Sequence, residues 1–418
     1  MTTHQSPIDV ALAVAHAADA GTGDAGVTDA AATTETTGIG IGIGTGIGIV
    51  TIGIAGVTIA DVVAVARYGA RVEIAEESRA AIRESRALIE ALAIDPEPHY
   101  GISTGFGALA TTFIQPDLRT QLQQSLVRSH AAGSGPEVSR ETVRSLMLLR
   151  LSTLLTGRTG IRLDTAEAYA DVLNAGIMPI VREYGSLGCS GDLAPLAHCA
   201  LAVMGEGDVR DNSGTVMPAL TALTNAGLTP VLLAEKEGLS LINGTDGMLG
   251  MLSLAIHDLH RLLTTADIAA GMSVEALLGS TAVFAADLAA LRPQRGQGAS
   301  AQNLRRLLAD SPIVASHQGP ECTRVQDAYS LRCAPQVHGA VRDTIEHAAA
   351  VATRELASAV DNPVVTLDGR VESNGTNAKA VAISAQPSIA QPSICRQFPA
   401  GRSRHSRLAA ISATGVSR

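Results

Sequence analysis

Apolar side chains in this chain recur at the spacing of a helix, and almost none of them is aromatic. Leu118, Leu122, Leu126 and His130 step by four, and Val143, Leu146, Met147, Arg150, Leu151 and Leu154 mark a second segment. A period near 3.6 residues belongs to an amphipathic α-helix, not to a strand. Two longer Ala/Leu-rich runs, near 250–290 and 338–360, predict two more helices. Only 2% of the residues are aromatic and none is Trp, so Ala, Leu and Val must carry the core. Small side chains let helices pack closely. The expected fold is mainly α, a long-helix bundle with a loop-rich N-terminal part. A chain of 418 residues with 46% apolar content can bury a large core in one or two domains.

The flanks differ from this middle. Residues 1–49 read as a disordered, low-complexity tail, first Ala, Thr, Gly and Asp, then Gly alternating with Ile. The uncharged run over 38–60 is long enough to span a membrane, but Gly at every second position is a poor helix former. No membrane segment is expected there, and a strand near its end is. At the other extreme no Asp or Glu follows Glu372, and the unit Ala385-Gln386-Pro387-Ser388-Ile389 repeats in tandem. Arg396, Arg402, Arg404, Arg407 and Arg418 make that end basic. Residues 376–418 read as an aberrant basic tail, which leaves one folded domain over 50–375.

A net charge of −9 supplies no basic field for nucleic acid. The five cysteines, Cys189, Cys199, Cys322, Cys333 and Cys395, form no CxxC pair and no metal-ligand spacing, so no metal is expected. An odd, scattered set suits a reducing cytoplasm, and no signal peptide is expected.

The stretch Gly185-Ser186-Leu187-Gly188-Cys189-Ser190-Gly191-Asp192-Leu193-Ala194-Pro195-Leu196-Ala197-His198 is a small-residue loop running into a helix start. Asp192 is a candidate N-cap, and Pro195 falls in the first turn, where its missing N–H does no harm. Taken whole, it resembles the active-site segment of the aromatic amino acid ammonia-lyase family. The resemblance implies that Cys189-Ser190-Gly191 cyclises on its own backbone: the Gly191 nitrogen attacks the Cys189 carbonyl, and Ser190 loses water. The product is a methylidene-imidazolone (MIO) electrophile, a cofactor made from the chain itself. Gly191 lets the backbone fold onto itself. The unpaired N-terminal amides of the following helix would stabilise negative charge on the ring.

Four further segments match, and their roles are what the resemblance implies. Tyr100, heading the loop Gly101-Ile102-Ser103-Thr104-Gly105-Phe106-Gly107, covers the electrophile and assists proton transfer. The family often has Asn where Ser103 stands. Ser129 and His130 face the substrate's ring, and Ser-His goes with histidine. Asn243, in Asn243-Gly244-Thr245, hydrogen-bonds near the electrophile and the substrate amine; the family often has Gln where Asp246 stands. Gln326-Asp327-Ala328-Tyr329-Ser330-Leu331-Arg332 places Tyr329 and Arg332 on one helical face, with Gln326 beside the substrate. Arg332 can clamp a carboxylate through two hydrogen bonds.

The implied reaction is elimination of ammonia from L-histidine to give urocanate. Tyr329 or Tyr100 removes the β-proton, and Asp192 orients the loop. The implied assembly is a homotetramer sharing residues between subunits, with neither membrane nor nucleic acid as partner. Two alternatives stand beside it, a lyase acting on phenylalanine or tyrosine and a truncated, inactive relative. In the family Glu372-Ser373-Asn374-Gly375 runs on into further long helices. The sequence after Gly375 does not resemble them. The expectation is therefore a lost reading frame, poor assembly and no turnover.

Overall fold

The computed structural model describes residues 48–320, 322 and 324–373. The tail expected over residues 376–418, the change of character after Gly375 and all but the last two residues of the tail expected over 1–49 lie outside the described residues; of those two, Ile49 belongs to a strand. The expected strand is present as β1 (Ile49–Ile52). It pairs in parallel with β2 (Arg71–Ile74), Ile49 opposite Arg71 and Ile52 opposite Ile74. A parallel pair needs a crossover, and α1 (Ile59–Tyr68) provides it. Thr58 and Asp61 form a reciprocal capping box at its start, and Gly69 ends it in the left-handed conformation.

Helices then dominate. The chain continues through α2 (Glu76–Ile94), α3 (Pro116–His130), β3 (Ser134–Glu137), α4 (Arg140–Leu155) and α5 (Leu163–Asn174). Next come β4 (Met178–Pro179), β5 (Arg182–Tyr184), α6 (Leu193–Val203), β6 (Asp208–Arg210), β7 (Val216–Pro218) and α7 (Ala219–Asn225). Then follow α8 (Glu237–Ile242), α9 (Asp246–Ala276), α10 (Ala286–Ala290), α11 (Arg295–Leu307) and α12 (Pro312–Ala315). The described part closes with α13 (Tyr329–Arg332), α14 (Ala334–Leu356), β8 (Val364–Val365) and β9 (Val371–Glu372). The strands are short clasps: β3 pairs with β5, β6 lies between β4 and β7, and β8 pairs with β9.

The core forms around α4, whose residues from Val143 to Leu155 are all buried. It packs against α1, α5, α6 and α9. Each buried Leu or Val there contributes roughly 1.5–3 kcal/mol. A smaller cluster, with Val274, Phe284, Leu304 and Leu331, joins α9, α11, α13 and α14.

Two predicted helices differ from expectation. The run near 250–290 is one helix only to Ala276; Leu278 takes φ 52° and the chain turns before α10. The Leu118–His130 stripe does not simply face the core. Leu126 is buried, Leu118 is 48% exposed, and Leu122 and His130 line a cavity. Helical period reports a shared face, not what that face meets. Glu237–Ala276 is long and apolar enough to cross a membrane, but 83% of its most apolar window is buried inside the fold.

Candidate active site

The motif loop folds back just before α6. Gly188–Ser190 form one 3-10 turn, with Gly191 N–H donating to Gly188 O at 2.9 Å. Gly191 has φ 116° and ψ 162°, a region closed to other residues. A Cβ on it would stand 3.1 Å from Gly244 O. Glycine is thus required there both for conformation and for the close approach. Cys189 and Ser190 are exposed, while Gly191 and Asp192 are buried.

Asp192 stands at the N-cap position of α6, as expected, but its side chain makes no cap bond to that helix. Its Oδ2 instead accepts from Gly247 N–H at 2.8 Å and Met248 N–H at 3.1 Å, in the first turn of α9. The backbone N–H of Asp192 donates to Gly244 O at 2.6 Å. The positive end of a 31-residue helix attracts the carboxylate that sequence assigns to its neighbour.

Burial pushes the Asp192 pKa up to about 6, against the opposing pull of the Ser186 hydroxyl and the two amides. Its ordinary value is 3.8. Between those values the folded chain holds a proton that the unfolded chain has lost. Ionising Asp192 therefore lowers stability as pH rises from about 4 to 6, and the loss is complete above that. Asp192→Asn cannot ionise. We expect the stability difference between wild type and this variant to shift by about 2 kcal/mol between pH 4 and pH 7. Urea unfolding at the two pH values checks this; a difference that stays constant contradicts it.

A cavity of about 670 Å³ brings Ser190 together with Tyr100, His130 and Asn243. Tyr100 is half-buried and meets Phe106 edge-on, with ring centroids 6.4 Å apart. His130 ends α3, and its Nδ1 lies 2.8 Å from Leu126 O. A carbonyl only accepts, so Nδ1 carries the hydrogen and Nε2 of the neutral ring is an acceptor. Ser129 Oγ donates to the same carbonyl at 2.9 Å.

Asn243, at the end of α8, is anchored from beneath. Its Nδ2 donates to Asp361 Oδ1 at 3.2 Å and to Asn362 O at 2.9 Å. Asp361 pairs with Lys236, and both side chains are fully buried. Burial pushes the Lys236 pKa down and the Asp361 carboxylate opposes the shift. Lys236 Nζ also donates to Ser240 Oγ at 3.1 Å. On the other side Arg150, also fully buried, donates to Ser240 O at 2.9 Å and Asn243 O at 3.2 Å. It pairs with Asp246 at 3.0 Å.

The other predicted residues sit apart. Tyr329 and Arg332 share a face of α13, the guanidinium 4.2 Å from the ring centroid. Tyr329 and Gln326 are exposed, and none of the three lines the cavity. Asp327 pairs with Arg324 at 2.8 Å and accepts Ser280 N–H at 2.6 Å. It is not the partner of Arg332.

Sequence reading did not single out Lys236, Asp361 or Asn362, and it took Arg150 only as a position on a helical face. Signals existed. Lys236 is one of two lysines in the chain, and Arg150 interrupts a run of leucines. A charge in an apolar segment needs a buried partner.

A model of the aromatic amino acid lyase family matches residues 57–386. The chain is 61% identical over 326 residues to histidine ammonia-lyase of Streptomyces avermitilis, covering 78% of this chain and 64% of that protein. It is 48% identical over 316 residues to histidine ammonia-lyase of Gloeobacter violaceus, covering 75% and 61%. It thus spans less than two thirds of the length of these curated relatives. The crystal structure of histidine ammonia-lyase from Trypanosoma cruzi aligns with a TM-score of 0.73 at 36% identity, over 82% of this chain and 63% of that one. Tyrosine aminomutase from Streptomyces globisporus aligns with a TM-score of 0.74 at 35% identity, over 82% and 67%. With its helical core, its Gly191 turn and a match over most of its length, the chain belongs to the aromatic amino acid lyase family.

Proposed function

We propose that the chain carries histidine ammonia-lyase chemistry, the elimination of ammonia from L-histidine to give urocanate. One observation carries the reading: Ser190 of a ring-forming tripeptide shares a cavity with His130, whose Nε2 is an acceptor. An imidazole N–H can donate to that nitrogen; a phenyl or phenol ring edge offers no such N–H.

The tripeptide fits the implied prosthetic group, since the turn folds Gly191 back and only glycine satisfies its backbone. An MIO ring formed from Cys189-Ser190-Gly191 would supply an electrophilic carbon for the substrate amine, the chemistry that would make the amine a leaving group. Around it the chain's own residues act. Asp192 locks the loop onto α9, and the free amides at the start of α6 favour developing negative charge. His130 orients the imidazole, and Asn243, fixed by Asp361, faces the amine. Tyr100, half-buried at the cavity, is placed to take the β-proton. Tyr329, Arg332 and Gln326 lie on a separate face, so in this proposal they serve a neighbouring subunit's cavity within a homotetramer. There Arg332 holds the carboxylate. Cys189, Cys199, Cys322 and Cys333 are free thiols, which suits a cytoplasmic location.

The test is direct. The chain as it stands, and a version whose part after Gly375 is restored from a relative, are incubated with L-histidine, and urocanate and ammonia are measured; the absence of both products from both proteins overturns the proposal. His130→Leu should lower histidine turnover roughly 10- to 100-fold, the worth of one hydrogen bond to a polar substrate. Its effect on phenylalanine should be small. An equal loss on both amino acids would refute the role given to His130.

A further inference from the structure

We propose that Arg150 is a positioning residue for ring closure of Cys189-Ser190-Gly191. The inference rests on the reading above that this tripeptide cyclises. Arg150 is fully buried in a helix whose other inward residues are mainly Leu, Met and Val. A guanidinium in such a place is stable only if its donors are met. Its two terminal nitrogens are met at one corner of the chain, by Ser240 O, Asn243 O and the Asp246 carboxylate at 2.9, 3.2 and 3.0 Å, while Nε is buried without a hydrogen-bond partner. A Cβ on Gly244 would collide with both Arg150 and Asp246, so the corner closes tightly only around glycine.

That corner is what grips the loop. Gly244 O accepts the Asp192 N–H at 2.6 Å, while the Gly247 and Met248 N–H groups donate to its carboxylate at 2.8 and 3.1 Å. Asp192 directly follows Gly191. On the other side of the tripeptide, Leu187 N–H donates to Gly191 O at 3.0 Å, and Ser186 Oγ accepts Gly188 N–H at 3.2 Å. The three residues are held between two fixed points, and the 3-10 turn shortens the path between them.

Closure needs this constraint because an amide nitrogen is a weak nucleophile. One bond forms, from Gly191 N to the carbonyl carbon of Cys189. One water leaves with that carbonyl oxygen and the amide hydrogens of Gly191 and Ser190. A second leaves with Ser190 Oγ–H and the Cα hydrogen. No oxidant is required. Holding the reacting atoms in place supplies a large part of the barrier for such an intramolecular step. A corner free to shift would forfeit part of that gain.

The experiment is intact mass on the folded, monodisperse fraction, followed over time after synthesis. Wild type should be lighter than its translated mass by two waters. Arg150→Met/Asp246→Asn removes the pair without leaving a lone buried charge, and its cyclised fraction at a fixed early time should fall roughly tenfold. Arg150→Lys keeps a cation but not the planar fork, and its closure should be intermediate. If the double variant does not fold, the Lys variant alone is read, and closure as fast as wild type overturns the proposal. Full, rapid closure in a folded double variant overturns it equally. A wild-type mass with no loss is a different failure, because it removes the cyclisation reading itself.

Discussion

Ser190→Ala loses at most the one water of ring closure, forms no methylidene, and loses nearly all urocanate formation. The substitution removes one oxygen, the one that must leave to create the methylidene. Ser190 is exposed, and its hydroxyl makes no hydrogen bond among the described residues. Folding stability should therefore stay within about 0.5 kcal/mol of wild type. Turnover should fall on the order of a thousandfold or more, because covalent capture of the amine supplies several kcal/mol of the barrier reduction. Mass spectrometry and a urocanate assay on the same preparation read both effects. A variant that still loses two waters, or still makes urocanate at the wild-type rate, would remove Ser190 from the chemistry.

Asp361→Ala unfolds the chain more readily than any single change in the cavity wall. Lys236 and Asp361 are both fully buried and pair with each other. Removing the carboxylate leaves an ammonium in the core that still donates to Ser240 Oγ at 3.1 Å. Breaking one side of a buried ion pair costs about 3–5 kcal/mol. Asn243 loses an acceptor for its Nδ2 at the same time. Replacing both partners, as in Lys236→Met/Asp361→Leu, removes the stranded charge and should recover most of the stability. It should not recover a well-placed Asn243. Urea midpoints of the three proteins decide the matter; an Asp361→Ala variant within about 1 kcal/mol of wild type would contradict this account.

Much of the fold was legible in the chain. The Val143–Leu154 period marked α4 correctly because its residues meet neighbours on every side. The end of the uncharged N-terminal run yielded β1, because Ile49, Val50, Thr51 and Ile52 are all β-branched and suit a strand. The run near 250–290 was read too long, since Ala and Leu favour helix whether or not a turn follows. Leu277 and Leu278 gave no warning of the break. Asp192 was placed correctly at the head of α6, but its carboxylate bonds to the first turn of α9 instead. Local spacing names the nearest helix start, and the stronger partner lay on α9, far along the chain.

The sequence by itself determined the helical character and singled out Cys189-Ser190-Gly191 and the Tyr100, His130 and Asn243 segments. Each is a local property of a few consecutive residues. Only the tertiary structure decided that Tyr100, Ser129, His130, Ser190 and Asn243 line one cavity while Gln326, Tyr329 and Arg332 do not. It alone paired Asp192 with Gly247, 55 positions away, Arg150 with Asp246, 96 away, and Lys236 with Asp361, 125 away. The reason is desolvation. A buried charge must find its partner wherever packing brings one, and packing is set by apolar faces that carry no record of which charge will meet which.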